Sequence, residues 1–157
     1  MRIAVFGAGS VGGYFGGRLA QAGEQVTFIA RSEHLKVIQR SGLHVDSPKG
    51  DFVIQPAVAT QDPAQVGEVD VILLGVKAWQ VPEAARQMLP MLGSDTFVVP
   101  LQNGVDAPAQ LAVTLGAQHV VGGLCRITAM IAAPGHIRHT GMEPTIAFGE
   151  LDNQPSQ

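Results

Sequence analysis

Met1-Arg-Ile-Ala-Val-Phe-Gly-Ala-Gly-Ser-Val-Gly-Gly-Tyr-Phe-Gly-Gly17 is the stretch whose reading decides the fold. Ile3 to Phe6 is a short apolar run that reads as a buried strand. It feeds directly into Gly7-Ala8-Gly9-Ser10-Val11-Gly12, a G-x-G-x-x-G, and the residues after it have helix character up to Gly23. Strand, glycine turn and helix in that order give the pattern its meaning. Gly7 permits the tight turn, Gly9 lets a pyrophosphate approach the backbone, and Gly12 lets helix and strand pack closely. The free N–H groups at the helix start then face an anion along a favourable dipole. The stretch predicts a βαβ unit that binds a dinucleotide. A purely structural glycine turn is the competing reading, and the position of the turn after one strand argues against it.

Working outward, the 157 residues suit one domain with a sizeable core. Hydrophobic residues make up 46% and charged residues 15%, which excludes a disordered chain. The ten basic residues are scattered and the net charge is −3, so neither nucleic acid nor an anionic membrane is an expected partner. No apolar run reaches the length of a membrane span, and Ile3 to Phe6 is too short for a signal-peptide core. Cys125 stands alone in an apolar run, so it reads as a small buried hydrophobe rather than a nucleophile. A single cysteine fits a reducing compartment, and the expected location is cytoplasmic.

Further strands are expected at Gln25 to Ile29, Val69 to Leu74, Thr96 to Val99 and Val120 to Leu124. Helices are expected from Ser32, as N-cap, to Gly42, from about Pro82 towards Met91, and over residues 106–115 with Asp106 as cap. Leu43 to Ser47 and Phe52 to Ile54 flank the turn signal Pro48-Lys49-Gly50 and predict a hairpin. His136 to Thr140 and Thr145 to Phe148 flank Gly141-Met142-Glu143-Pro144 and predict a second antiparallel pair. Residues 1–150 read as the dinucleotide-binding domain and 151–157 as a polar tail or linker. Alternating strands and helices give an α/β fold, a Rossmann-like doubly wound and mostly parallel sheet with helices on both faces, and antiparallel strands near the C-terminus. The ligand then lies beyond the carboxyl ends of the strands.

The end of the second strand chooses the dinucleotide. An acidic residue there would hold the ribose 2′-OH of NAD. This chain has Ala30-Arg31-Ser32 instead, with no carboxylate to repel a 2′-phosphate. Arg31 offers a planar fork of donors to such a phosphate, and Ser32 a hydroxyl or N–H. NADP(H) is therefore expected over NAD, against the alternatives of a solvated surface arginine or an arginine neutralised by nearby Glu33.

Three later segments fall at strand ends: Gly75-Val76-Lys77-Ala78-Trp79-Gln80, Leu101-Gln102-Asn103-Gly104-Val105, and Arg126-Ile127-Thr128-Ala129 leading to Pro134-Gly135-His136. Together with residues 7–13 and Arg31 they make the chain resemble the N-terminal domain of the ketopantoate reductase (2-dehydropantoate 2-reductase) family over nearly its whole length. The resemblance implies an NADPH-dependent reduction of 2-dehydropantoate to pantoate, a step towards pantothenate and coenzyme A. By position it implies that Gly7 to Gly12 hold the pyrophosphate and Arg31 the 2′-phosphate. Gly75, Val76 and Lys77 would reach the cofactor with support from Gln80, Asn103 with Gln102 and Gly104 would lie beside the nicotinamide ribose and substrate, and Ala129 would touch the cofactor. Lys77 and Asn103 are the expected supporting catalytic residues, and no metal is expected. Read singly, Lys77 is equally a surface lysine and Asn103 equally a turn residue.

The family places a general-acid lysine in a second, helical domain. The lysines of this sequence are Lys36, Lys49 and Lys77. The expectation is a cofactor-binding domain, cut from a longer reductase or encoded alone, with little or no turnover by itself. A non-catalytic NADP(H) sensor module and another keto- or hydroxy-acid dehydrogenase of the same fold remain alternatives. An uncovered sheet edge at residues 136–148 makes a homodimer a further expectation.

Overall fold

The computed structural model describes residues 1–152 and 154. Five parallel strands form the first sheet: β1 (Arg2–Phe6), β2 (Gln25–Ile29), β5 (Val58–Thr60), β6 (Val69–Leu74) and β7 (Leu92–Pro100), in the order β5-β2-β1-β6-β7. The alternation along β1 explains why its apolar run is continuous. Ile3 and Val5 face a core on one side, and Ala4 and Phe6 face a separate core on the other. Helices α3 (Val81–Met88) and α4 (Ala107–Leu115) cover the Ala4 and Phe6 side with Ala84, Met88 and Leu111. Helices α1 (Ser10–Gln21) and α2 (Ser32–Ser41) cover the opposite side.

A second sheet of four strands lies beyond α1, in the order β4-β3-β9-β8, with β3 (Leu43–Asp46), β4 (Phe52–Ile54), β8 (Gly122–Ala133) and β9 (His136–Gly149). Helix α1 is thus held between two sheets, and its glycines show how. A Cβ at Gly16 would meet Val5 and Phe28 of the parallel sheet, and one at Gly12 would collide with the Gly7 carbonyl oxygen and Val5. A Cβ at Gly13 would meet Ile137 at 3.2 Å, and one at Gly17 would meet Phe52 at 3.0 Å. Two glycine pairs at i,i+4 spacing give α1 two bare stripes, one for each sheet.

The expected strands and helices form, with four differences. Val120 makes only a single parallel bridge to Val98 and does not extend the first sheet. The chain instead leaves as β8, at the side-chain-free pair Gly122-Gly123, where a Cβ on Gly123 would strike the Pro100 carbonyl. The expected hairpin over residues 136–148 is a single strand, β9, whose antiparallel partner is β8. The reversal lies at Pro134-Gly135, and Gly141 to Pro144 are absorbed as an irregularity between the Thr128–Thr140 and Arg126–Thr145 pairs. Strand β5 is a three-residue edge too short to leave a period. Ser32 is not the cap of α2: Arg31 is the N-cap residue, and Ser32 opens the helix with a left-handed φ of 54°.

Candidate functional site

Strand order changes direction about β1, since β2 lies on one side and β6 on the other. The crevice at such a switch point, outside the carboxyl ends of the strands, is where open parallel sheets hold ligands. Here it is a cleft of about 290 Å³. Its floor is the glycine loop, residues 7–9. Its sides are the end of β2 from Ile29 to Arg31, and the end of β6 from Gly75 to Lys77 with Gln80. Ile131 of β8 and His34 of α2 complete the wall.

The loop is shaped by close packing. Gly7 takes a φ of 94°, and a Cβ there would stand 2.9 Å from Val76 Cγ1. Gly7 N and Ala8 N both donate to the Ile29 carbonyl, at 3.2 and 2.9 Å, which ties the loop to the end of β2. Gly75 N donates to the Phe6 carbonyl at 2.8 Å and ties it to β6. Gly9 differs from its neighbours: a Cβ there would meet nothing within 4 Å. The backbone at Gly9 is bare towards open space, and it begins a helix whose first N–H groups have no intrahelical partner. Bare backbone, free N–H groups and a helix start form an anion cradle that fits a pyrophosphate.

Arg31 stands exposed at the rim of the cleft. Glu33 does not neutralise it. Its carboxylate takes a hydrogen bond from Lys36 Nζ at 2.6 Å, and this bond, ahead of the Lys36 charge, holds it below the usual carboxylate range. The charge of Arg31 also reaches Glu83, whose carboxyl is lowered first by hydrogen bonds from Arg86 and Gln87 and least by Arg31. No ion pair within 4 Å engages Arg31 among the described residues. Lys77 is also exposed at the cleft, and its N–H donates to Gln80 Oε1 at 3.1 Å, so Gln80 braces the backbone that carries Lys77.

The other residues expected at the site divide between the cleft and its supports. Ser10 and Val11 open α1 behind the loop, and Gly12 is a packing position against Gly7. Gln102 is buried, and its side-chain amide donates to the Leu74 and Val76 carbonyls at 2.8 and 3.0 Å. It ties the ends of β6 and β7 together, and its Oε1 is buried without a partner. Asn103 and Gly104 come after β7 at the same edge, exposed and outside the cleft. Ala129 packs towards the core between the sheets, and Ile131 reaches the cleft in its place. Two register irregularities in the β8–β9 pair flank this segment, which a count along the sequence does not reveal. The partly buried Cys125 donates its Sγ–H to the Leu101 carbonyl at 3.3 Å, and burial pushes its thiol pKa up, so it stays protonated and inert. His34 and Ile131 escape a reading of the sequence. Neither belongs to a motif, and the bond from His34 to Gly135 spans 101 residues.

Known proteins share this fold. Residues 3–153 match the family described as ApbA, ketopantoate reductase PanE/ApbA. The 2-dehydropantoate 2-reductase of Nostoc sp. strain PCC 7120 is 34% identical over 88% of this chain and 43% of its own length. The crystal structure of 2-dehydropantoate 2-reductase from Porphyromonas gingivalis W83 superposes with a TM-score of 0.92 at 36% identity, covering all of this chain and 56% of that one. A ternary structure of D-mandelate dehydrogenase with NADH and anilino(oxo)acetate superposes with a TM-score of 0.87 at 25% identity, over 98% of this chain and 49% of that one. The chain spans about half the length of the relatives it matches.

Proposed function

The chain belongs to the PanE/ApbA ketopantoate reductase family, a family of oxidoreductases, and from that premise we propose that it is the NADPH-binding half of a reductase acting on a 2-keto acid of the 2-dehydropantoate type. One observation carries the cofactor choice: Arg31 stands at the rim of the glycine cleft, and among the described residues no carboxylate is bound to it. The dinucleotide supplies the hydride when bound. The chain's own residues bind and orient it. The Gly9 backbone and the start of α1 receive the pyrophosphate, and the guanidinium of Arg31 takes the ribose 2′-phosphate bidentately. Lys77, braced by Gln80, directs its charge towards the nicotinamide side, and Gln102 fixes the β6 and β7 ends from which Lys77 and Asn103 project.

Arg31→Ala tests this reading. The expected outcome is an NADPH affinity about tenfold or more weaker, as for loss of a charge-assisted hydrogen bond of roughly 1.5–3 kcal/mol, with NADH affinity unchanged. Equal losses for both dinucleotides would remove Arg31 from the phosphate. The NADH-bound neighbour supports a second reading, an NADH-dependent hydroxy-acid dehydrogenase, and the same titration separates the two. The resemblance places the general acid in the half of the relatives beyond this match, and no lysine comes after Lys77 in this sequence. Turnover of 2-dehydropantoate by these residues alone is therefore expected to be very slow. A rate in the usual enzyme range of about 1–10³ s⁻¹ would contradict that.

A further inference from the structure

His34, in the first turn of α2 and at the wall of the cleft, is not assigned by the glycine motif or by the family resemblance, yet its ring makes two bonds. Its Nδ1 accepts the N–H of Gly135 at 2.9 Å. Its Nε2 lies 2.7 Å from the carbonyl oxygen of Ala8, in the middle of the glycine loop. The two partners fix the ring's proton. A backbone N–H requires a bare Nδ1, and a carbonyl requires an N–H at Nε2, so the ring is the neutral Nε2–H tautomer.

The loop's chemistry gives that bond a purpose. An anion cradle works only if its N–H groups face the ligand and its carbonyls face away. The Phe6 carbonyl is taken by Gly75 N, and the Gly9 carbonyl by Gly13 N at 2.7 Å. Among the described residues no backbone N–H outside the regular elements engages the Gly7 or the Ala8 carbonyl; that of Gly7 is packed against Gly12 and Gly75, and His34 engages that of Ala8. The other end of the clasp is equally fixed. Gly135 holds a φ of 71°, its carbonyl accepts from His44 N at 2.9 Å, and a Cβ on it would run into Val37 of α2. The turn between β8 and β9 is therefore pressed onto α2, and His34 passes its position on to the loop.

We propose that His34 is a positioning residue for the dinucleotide: it turns the Ala8 carbonyl out of the path of the pyrophosphate and hangs the glycine loop on the β8–β9 turn. The inference rests on the dinucleotide reading of the cleft. Because the pyrophosphate is common to both cofactors, its loss has a signature that differs from that of Arg31.

The test is titration of the whole chain with NADPH and with NADH, well below the melting temperature, in wild type, His34→Ala and His34→Gln. His34→Ala is expected to weaken both dinucleotides by the same factor, about tenfold, the effect of leaving one acceptor unpaired. His34→Gln, which restores a donor for Ala8, is expected to recover most of it. A wild type that binds while His34→Ala binds as well overturns the positioning role alone. So does a loss confined to NADPH. A wild type that binds neither dinucleotide overturns the reading of the cleft as well. Should His34→Ala fail to fold, ¹⁵N spectra of the wild-type imidazoles decide: a protonated Nε2 with bare Nδ1 at His34 supports the clasp, and the opposite tautomer overturns it.

Discussion

Gly9 and Gly12 are three residues apart in one motif and do opposite things. Gly12 is packed so closely beneath the Gly7 carbonyl that a methyl group has nowhere to go, whereas Gly9 faces open space. Gly12→Ala is therefore expected to destabilise the fold by about 1–3 kcal/mol, the range for overpacking a filled site, read as a lower denaturant midpoint. Gly9→Ala is expected to leave that midpoint within about 0.5 kcal/mol of wild type, as for a surface change, while weakening dinucleotide binding by placing a methyl group where the phosphate approaches. The reverse pattern would show that the loop is organised otherwise. These roles are legible in the sequence, because a glycine spacing after a strand has few physical explanations. Gln102 and Asn103 are legible as residues at a strand end but not in their division of labour. Burial of the Gln102 amide against two β6-end carbonyls is a contact between distant segments that no local pattern encodes.

At the scale of elements, the central strands β1 and β6 of the parallel sheet can be read from their apolar runs, since strands covered on both faces carry no alternation, whereas the three-residue edge β5 cannot. Nor can the C-terminal strands. Gly141 to Pro144 has the composition of a turn, yet β9 runs through it, because Ile137 and His139 are buried on one side of the irregularity and Ile146 packs inward on the other. Tertiary burial overrides turn chemistry there, while Pro134-Gly135, with fewer turn residues, makes the reversal. Ile137 joins the parts of the second sheet, in register with Val45 on β3 and Ile131 on β8 and in contact range of Gly13 on α1. Ile137→Ala is expected to cost about 2–5 kcal/mol, as for a fully buried isoleucine. Urea unfolding monitored by circular dichroism measures it. A cost below about 0.5 kcal/mol, the level of a surface substitution, would mean that the second sheet does not clamp α1 as described.

At the scale of the whole molecule, one parallel sheet brings the ends of three strands to a single crevice, and a second sheet, reaching it through Ile131 and the His34 clasp, closes one wall. The relatives are about twice as long, so this match covers about half of each. None of the helices among the described residues is long and apolar enough to cross a membrane, and no group of His, Cys, Asp or Glu residues among them is arranged to hold a metal. On the proposed reading, the described residues assemble the dinucleotide half of the site. Calorimetric titration of the chain with NADPH and, separately, NADH tests that claim most directly. The expected result is one site per chain and NADPH tighter than NADH by about tenfold or more. Equal affinity for the two, or no heat from either, would contradict it.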